Sequence, residues 1–412
     1  MHVIYIHQHF ATKQGATGTR SYEWSQRLLR AGHRVTMICG EYAPGGIRPT
    51  GGSGVSEHAV DGIRELQVPE YYEARMGLLR RAMAFGRFAR VATRIVKSLQ
   101  ADLVFATSTP LTVGIPGMKG ARYLHVPFVF EVRDVWPEIL ISAGALRNPL
   151  LIWYGRRLER RIYAAARHIV ALSPGIKDSI AGTGYPAERI TMIPNASDVD
   201  LFKPDRTPLD DDPRLGPPGS FRVVFTGAHG FFNGLDAVLD AAAELLRRGE
   251  RSIQLVFIGG GRERDRLIER SRREGLDAVC RWVSPIPKAE LARVLPRMDV
   301  GLMVLIDTPV MHYGTSPNKF FDYIACGLPV VNNYPGWLAD MIREHDIGRA
   351  VPPGDPAAFA DALIWLRDHP RERAAMAQRA RTLAETRFSR DLLGERFVQT
   401  LERVHGEFHR GS

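Results

Sequence analysis

The sequence predicts an α/β protein of two domains, each a parallel β-sheet wrapped by helices. Its 412 residues exceed what one hydrophobic core usually supports. Short apolar runs alternate with helix-length segments in both halves, which is the pattern of parallel sheets. A stretch rich in Pro, Asp and Gly separates the two series. We therefore expect a first domain at residues 1–202, a linker at 203–219, a second domain at 220–387 and a final helical segment at 388–412.

Strand-like runs set the predicted order of elements. The first half has them at residues 3–6, 35–39, 103–106, 128–132 and 168–172, with an amphipathic helix near Arg20 to Arg30. The second half has them at residues 222–225, 254–258, 279–282, 300–304 and 329–332. Residues 45–54, which are rich in glycine, predict a mobile loop. Ligands of such sheets bind beyond the carboxyl ends of the strands, so the strand-exit loops are where chemistry is expected.

Composition narrows the class of protein. Cys39, Cys280 and Cys326 are far apart and form no C-x-x-C pair, which argues against a disulfide framework or a thiolate metal site. No apolar run approaches the length of a membrane span, so we expect a cytoplasmic chain. The net charge is +10, and residues 1–200 hold 25 Lys and Arg against 16 Asp and Glu. The first half could therefore attract phosphates, nucleic acid or an anionic membrane.

The most informative segment is residues 314–331, which reads GTSPNKFFDYIACGLPVV. Ser316 is a favourable N-cap and Pro317 a favoured first helical residue, so a short helix is predicted from there to about Cys326. Gly327 would end it. The free backbone amides at such an N-terminus form an anion site.

Side chains of this predicted helix suit a nucleotide diphosphate. Ser316 and Asn318 lie where the free amides would be. Lys319 could place its ammonium against a diphosphate, and Asp322, one turn further along, could accept hydrogen bonds from ribose hydroxyls. The alternative is a capped helix that only leads into a buried strand.

Residues 325–330, Ala-Cys-Gly-Leu-Pro-Val, complete a segment that resembles the donor-binding signature of retaining GT-B glycosyltransferases of family 4. The family pattern has two glutamates ahead of this run; Asp322 takes the place of the second, and Gly314 falls at the first. Residues 317–323 are more similar to a bacterial branch that resembles N-acetylfucosaminyltransferases and extends lipid-linked polysaccharide precursors. The resemblance implies a GT-B fold, with two Rossmann-like domains facing a cleft.

Two glycine-containing segments match the same family. Gly15 and Gly18 lie between the first strand and the first helix, where the backbone could approach a phosphate or a sugar; a purely structural turn is the alternative. Gly227 and His229 follow a strand of the second half. Relatives commonly place an Arg and a Lys there against the leaving diphosphate, and in this chain His229 and Asn233 replace them.

The resemblance implies two further contacts. The base of the donor is expected beside the strand exit from Arg281 to Pro287. Residues 130–138 align with a segment that often carries a His-Asp pair near the reacting centre, and Arg133 stands where that His is usual. Asp134 or Glu131 could take the proton of an acceptor hydroxyl. An ion-paired loop anchored by a tryptophan is the alternative.

Residues 76–96 predict a basic amphipathic helix. Between Arg75 and Lys97 there are seven basic residues and no acidic one. Such a helix suits docking on an anionic leaflet or binding an acceptor diphosphate. The alternative is a surface helix with its apolar face in the core.

No metal is expected. Asp198 and Asp200 mimic a paired-carboxylate metal motif, but their segment resembles the family's entry into the interdomain linker. His7 and His9 flank a strand exit without further ligands nearby in the sequence, and we assign them to acceptor-site polarity.

The resemblance implies a retaining glycosyltransferase, and no cofactor is expected. The expected donor is a UDP-sugar, with an N-acetylated hexosamine or a deoxyhexosamine. The resemblance implies an acceptor saccharide linked to polyprenyl diphosphate, bound at the inner face of the cell membrane during synthesis of a surface polysaccharide such as lipopolysaccharide O-antigen. Two alternatives are a nucleotide-sugar 2-epimerase of the same fold and a basic nucleic-acid-binding protein; no nucleic acid is expected, because the sequence has no recognition module.

Overall fold

The computed structural model describes residues 1–15, 18–42, 45–46, 54–72, 76–142, 144–205 and 212–411. These residues form two compact units. The first comprises Met1–Pro194, Gly314–Ser316 and the chain from Leu393 onward, and the second comprises Asn195–Tyr313 and Pro317–Leu392. The expected loop at 45–54 and the expected linker at 203–219 lie partly outside the described residues. Arg75 lies outside them altogether.

The first unit is built on one sheet. Its strands are β1 (His2–Ile6), β2 (Arg34–Tyr42), β3 (Ser56–Val60), β4 (Ile63–Tyr72), β5 (Leu103–Thr107), β6 (Phe128–Val132), β7 (His168–Ala171) and β8 (Ile190–Met192). Among the described residues the strand order is β3-β4-β2-β1-β5-β6-β7-β8, and every pair is parallel except the antiparallel β3 and β4. The helices are α1 (Arg20–Arg30), α2 (Leu78–Lys97), α3 (Gly114–Leu124), α4 (Glu138–Ser142), α5 (Pro149–Ala165) and α6 (Pro174–Gly182).

The second unit repeats the architecture with a parallel sheet. Its strands are β9 (Phe221–Thr226), β10 (Ile253–Ile258), β11 (Cys280–Val283), β12 (Val300–Met303), β13 (Val330–Asn332) and β14 (Gly348–Ala350), in the order β11-β10-β9-β12-β13-β14. The helices are α7 (Asp236–Arg247), α8 (Arg264–Arg273), α9 (Lys288–Val294), α10 (Pro309–Tyr313), α11 (Asn318–Ala325), α12 (Trp337–Glu344), α13 (Pro356–Asp368) and α14 (Pro370–Arg387), followed by α15 (Arg390–Arg410). Two parallel-sheet α/β domains confirm the predicted fold class.

The central strands are buried on both faces, which explains why they read as continuous apolar runs. All four residues from Val3 to Ile6 have no exposed surface. The last helix completes the core of the first unit, because the ring of Phe397 stacks 5.6 Å from Trp24 and meets Phe105 edge-on at 5.1 Å. Within the described part of the chain, no helix is long and apolar enough to cross a membrane.

Helix α2 corrects one expectation about membrane contact. Phe88, Ala92 and Val96, which repeat every four residues, have no exposed surface and join the core against the sheet. Gly120 of α3 permits this packing, since a Cβ there would overlap Val96. This apolar stripe is therefore unavailable to lipid. The basic side chains of α2 lie on its outer face, where Arg80, Arg87, Arg90, Arg94 and Lys97 are exposed.

We predict that Phe88→Ala lowers the free energy of unfolding by about 3–5 kcal/mol, because it leaves a cavity in the core. Met83→Ala, on the same helix but at a side chain that is 46 % exposed, should change it by less than about 0.5 kcal/mol. Urea denaturation followed by circular dichroism measures both variants. Equal, small effects would mean that the stripe of α2 is not packed in the core.

Candidate functional site

Two strand-exit loops of the second sheet are pressed together at its carboxyl edge. The N–H of Gly227, after β9, donates to the carbonyl of Ile258 at 2.9 Å, and the N–H of His229 donates to Gly260 at 2.8 Å. A Cβ on Gly259 would overlap the carbonyl oxygen of Gly227. Gly227 and Gly259 have φ of +113° and +152°, a region that favours glycine. Glycines are thus required where the two loops meet.

Helix α11 is fixed against this edge by Tyr323, which the sequence did not single out. The Tyr323 hydroxyl accepts a hydrogen bond from the backbone N–H of Thr226, at the end of β9, at 2.8 Å. A Cβ on Gly301 of β12 would overlap the Tyr323 ring, so only glycine permits this packing. Lys319, one helical turn before Tyr323, is consequently held beside the loop that follows β9.

The start of α11 differs from the prediction. The helix begins at Asn318, and Pro317 holds the N-cap position with φ −75° and ψ 127°, with no side chain capping the helix. Ser316 is therefore not the N-cap, because the extended Pro317 separates it from the first helical residue. Asn318 is exposed, and Gly327 follows the helix with φ +68°.

Lys319 extends over the glycine loop. Its Nζ donates to Oδ1 of Asn233 at 2.9 Å and lies 3.7 Å from the centroid of the Phe225 ring. Gly227 lies directly beside it, since a Cβ there would be in van der Waals contact with the Lys319 Cε, at 3.5 Å. Burial lowers the pKa of Lys319 to about 7. Asn233 thus positions the ammonium group, which an anion placed on the loop would stabilise.

His229 contributes no positive charge at neutral pH. Its imidazole is fully buried, and neither ring nitrogen has a hydrogen-bond partner within the described part of the chain. Burial, followed by the nearby charges of Arg264 and Lys319, lowers the pKa of His229 to about 4. The ring packs among Phe225, Phe257 and Trp282, with centroids 5.8–6.5 Å apart. Its role at the loop is therefore that of a neutral side chain.

One expected donor contact lies elsewhere in the second unit. Arg281 donates to the carbonyl oxygens of Asp277, Ala278 and Cys280, which precede or begin β11, so its guanidinium lies at the amino end of that strand rather than at the exit. The exit itself approaches the glycine loops, since a Cβ on Gly260 would lie 3.2 Å from Pro285.

Asp322 has a protein partner. Its Oδ1 accepts a hydrogen bond from the Ser197 hydroxyl at 2.8 Å, and burial raises the pKa of its carboxyl group. A ribose hydroxyl would therefore share or replace the contact with Ser197. Lys319 is the residue of the predicted donor set that the structure places directly over Gly227.

A buried ion pair dominates the carboxyl edge of the first sheet. Nε and Nη2 of Arg20 donate to Oε1 of Glu131 at 3.0 and 2.8 Å, while the Thr107 hydroxyl donates to Oε2 at 2.6 Å. Arg20 also donates to the carbonyls of Ile193 and Pro194, both at 2.7 Å. Glu131 has no exposed surface. The expectation that Glu131 takes a proton from an acceptor is therefore corrected: its carboxylate links strand β6 to β5 and to α1, and Arg20 links them to the segment after β8.

Asp134 and Arg133 remain accessible at the exit of β6. Oδ2 of Asp134 accepts from the Thr109 hydroxyl at 2.9 Å, and both Asp134 and Arg133 are partly exposed. Nη1 of Arg133 lies 3.5 Å from Nε2 of His7, at the exit of β1. Because β1, β5 and β6 are neighbours in the sheet, these exits share one edge.

The two histidines after β1 are neutral, and arginine side chains lie beside them. Burial, then the charge of Arg133, holds the pKa of His7 well below its ordinary value. Burial, followed by Arg133 and Arg81, lowers the pKa of His9 to about 3. Gln8 between them is 1 % exposed, and neither its Nε2 nor its Oε1 has a partner in the described ranges. This edge has a positive field and unsatisfied polar atoms, which suits an anionic group.

The predicted glycine loop of the first unit is described only in part. Gly15 donates from its N–H to the carbonyl of Thr12 at 3.0 Å, and Gly18 is exposed just ahead of α1. Residues 16–17 lie outside the described residues. A role for Gly15 and Gly18 in binding a phosphate or sugar stays a prediction.

Glu131→Gln should destabilise the protein by about 3–5 kcal/mol, because it leaves the charge of Arg20 buried without a counter-ion. The paired replacement Arg20→Met with Glu131→Leu should recover most of that loss, since no charge is then buried. Chemical denaturation of both variants measures the difference. If Glu131→Gln were as stable as the unaltered protein, the ion pair would not be buried.

Lys319→Met should raise the melting temperature by several degrees at pH 6 and by less at pH 9. Folding lowers the pKa of Lys319 to about 7 from about 10.4 in the unfolded chain, so the unfolded state binds more protons between these values and the unaltered protein gains stability as the pH rises. Thermal melts across this range give the difference. The exposed Lys203→Met is the control, and a difference that does not vary with pH would contradict the burial of the ammonium.

Comparisons with known proteins agree with this arrangement. Residues 15–196 match the glycosyl transferase 4-like domain, and residues 220–369 match the glycosyl transferases group 1 domain. The chain is 25 % identical to a glycogen synthase of Mycobacterium tuberculosis, over 92 % of this chain and 87 % of that protein. It is also 25 % identical to a GDP-mannose-dependent alpha-mannosyltransferase of the same species, over 88 % and 86 %.

A solved structure extends the likeness to the whole fold. Anabaena HepE, determined in complex with UDP-glucose, superposes with a TM-score of 0.68 at 16 % identity, over 98 % of this chain and all of that one. Together with the two matched domains and the two parallel sheets, these likenesses identify the chain as a glycosyltransferase of the GT-B fold, with one glycosyl transferase 4-like domain and one glycosyl transferases group 1 domain.

Proposed function

We propose that this glycosyltransferase moves a sugar from a UDP-sugar to a lipid-linked saccharide, with retention of the anomeric configuration, in the synthesis of a bacterial surface polysaccharide. The observation that carries the proposal is the position of Lys319, whose ammonium lies over the glycine loops at the carboxyl edge of the second sheet. A diphosphate bound there would meet the ammonium, and the amides at the start of helix α11 are the backbone donors that we propose for it.

A bound diphosphate would also keep Lys319 in its charged form. Its pKa of about 7 leaves the group divided between charged and neutral forms near neutrality, and an adjacent anion raises such a pKa. His229 is neutral and Asn233 is an amide, so Lys319 is the charged side chain that we propose against the leaving group, with the charge of Arg264 nearby. We propose that no metal cofactor is needed, since this ammonium and the amides supply the stabilisation.

The donor base is assigned to the exit of β11, at residues 283–287. This exit adjoins the second glycine loop through Gly260 and Pro285, whereas Arg281 points to the other end of the strand. Support for a uridine nucleotide comes from HepE, which was solved with UDP-glucose, while the mycobacterial mannosyltransferase is named for GDP-mannose. An N-acetylated hexosamine or a deoxyhexosamine is the sugar we propose from the likeness of residues 317–323.

The acceptor is assigned to the exits of β1 and β6 in the first unit. Arg133 and Arg81 set a positive field there, and His7, His9 and Gln8 line it as neutral polar groups. These features support an anionic acceptor, for which a saccharide on polyprenyl diphosphate is the chemical class we propose.

Asp134 is the carboxylate we propose at the reacting centre. In the transfer, the bond between the anomeric carbon and the diphosphate oxygen breaks, and a bond from the acceptor oxygen to that carbon forms on the same face. The acceptor proton passes to Asp134, and the electron pair of the broken bond leaves with the diphosphate, which Lys319 stabilises. Positioning and charge stabilisation supply the catalysis.

A panel of UDP-, GDP- and ADP-sugars should separate the donor classes by thermal shift. We expect a UDP-sugar to raise the melting temperature of the unaltered protein, by an amount that corresponds to about 2.7 kcal/mol at a hundred times its Kd. Lys319→Ala should weaken the binding of that nucleotide sugar about 30-fold or more, because it removes one partner of a charged contact.

Lys203→Ala, an exposed lysine of the same unit, serves as the matched control and should leave the shift intact. A protein that no nucleotide sugar stabilises, or a shift that survives Lys319→Ala, would remove the central claim. Incubation of the stabilising donor with an acceptor extract should give a new glycosidic bond. Release of a free epimerised nucleotide sugar would identify a 2-epimerase instead.

A further inference from the structure

Helix α5 exposes an apolar surface at its amino end. Leu150 is 75 % exposed, Leu151 56 %, and Trp153 and Tyr154 are each 58 % exposed. Four large apolar side chains within five consecutive residues are far more than the single exposed apolar residues that soluble surfaces usually carry.

The opposite side of α5 is already packed. Ile162 has no exposed surface and Tyr163 is 3 % exposed, both within the core against the first sheet. Nearer the amino end, Gly155 lies against Pro137, since a Cβ there would come within 3.2 Å of that ring. The exposed residues Leu150, Trp153 and Tyr154 are spaced i, i+3 and i+4, and therefore share the face that turns away from the core.

Arginines continue the same face toward the carboxyl end. Arg157, Arg160 and Arg161 are all exposed, and among the described residues none of them pairs with a carboxylate. The Arg157 guanidinium lies 5.5 Å from the Trp153 ring. The one acidic residue of the helix, Glu159, is 6 % exposed and accepts a hydrogen bond from Tyr163, so it does not offset this charge at the surface. The outer face of α5 thus consists of Leu150, Trp153, Tyr154, Arg157, Arg160 and Arg161.

The neighbouring helices extend the basic layer. α3 packs against α5, since a Cβ on Gly114 would overlap Ile162, and α2 packs against α3 through Gly120. Neither α2 nor α3 contains an acidic residue. Lys97 of α2 lies 5.0 Å from the ring of Tyr123 on α3, which is 57 % exposed. The three helices therefore cover one face of the first sheet with an outward positive field.

We propose that the outer face of α5 docks on an anionic membrane. Leu150 would enter the acyl boundary, Trp153 and Tyr154 would lie at the headgroup level, where aromatic rings with a polar edge are favoured, and the arginines would meet lipid phosphates. A second copy of this chain fits less well, because two such faces would bring like charges together. The inference rests on the proposed function, since a lipid-linked acceptor requires a membrane surface.

Flotation of the full chain with phosphatidylcholine vesicles, with and without about one third phosphatidylglycerol, measures the binding. We expect binding to the anionic vesicles that falls at high salt. Leu150→Glu and Trp153→Ala should each weaken it about tenfold or more, because each removes apolar contact with the bilayer. Met83→Glu, at an exposed site on α2, is the control and should weaken it far less.

Brominated acyl chains give a second readout of the contact. Trp153 is the exposed tryptophan among the described residues, so bromolipid vesicles should quench part of the protein fluorescence, and Trp153→Phe should abolish that quenching while retaining most of the binding.

Several results would overturn the inference. These are no preference for anionic vesicles, equal binding by Leu150→Glu, or quenching that survives Trp153→Phe. Self-association without lipid that Leu150→Glu abolishes would assign the face to a second copy, and salt-sensitive DNA binding without vesicle binding would assign the charge to nucleic acid. The thermal shift by a nucleotide sugar should persist in every α5 variant. If the unaltered protein binds vesicles but responds to no nucleotide sugar, the proposed function is contradicted and the membrane contact is not.

Discussion

The close approach of two backbone loops is the constraint on which the second unit's site depends. Gly227 and Gly259 lie so near that a side chain on Gly259 would force the exits of β9 and β10 apart. The hydrogen bonds of Gly227 and His229 to the opposite loop would then be lost. Since Lys319 reaches over Gly227, the same separation would remove the ammonium from its loop. The geometry for a diphosphate is therefore set by residues without side chains, and Lys319 places a charge directly over it.

That lysine is held in a state that favours anion binding. Its ammonium has one amide oxygen, from Asn233, and one aromatic face, from Phe225, in place of a carboxylate. A carboxylate partner would stabilise the free protein but would compete with a diphosphate for the same charge. An amide and a ring stabilise the cation less, which is why burial can lower its pKa to about 7. His229 nearby is neutral, so the positive charge close to the loop comes from Lys319, which lies over Gly227, and from Arg264, whose charge helps to lower the pKa of His229.

Sequence patterns predicted the central strands and the short helix before β13, because these elements are continuous apolar runs or carry local start and stop residues. They did not predict β3, β4, β8 or β14. β3 is a half-exposed edge strand, β4 carries charged residues and a proline in place of an apolar run, and the other two are only three residues long. Arg20 was not predicted either. Its partner Glu131 is 111 residues away, and no local pattern connects a helix start to a distant strand. The predicted N-cap of α11, Ser316, was wrong because Pro317 stays extended. That conformation depends on the incoming chain rather than on the helix.

Amphipathic patterns show that a helix has an apolar stripe, but not what covers it. In α2 the stripe of Phe88, Ala92 and Val96 packs against the sheet, and the outer face is mainly basic. In α5 the sheet takes Ile162 and Tyr163, yet Leu150, Trp153 and Tyr154 project from the other side. A helix packed on one sheet can bury only one of two opposed apolar surfaces, so the second must be covered by something other than this core or remain in water. The arginines that adjoin it favour a partner that is apolar and negatively charged at once, and an anionic lipid leaflet is the partner of that kind that we propose.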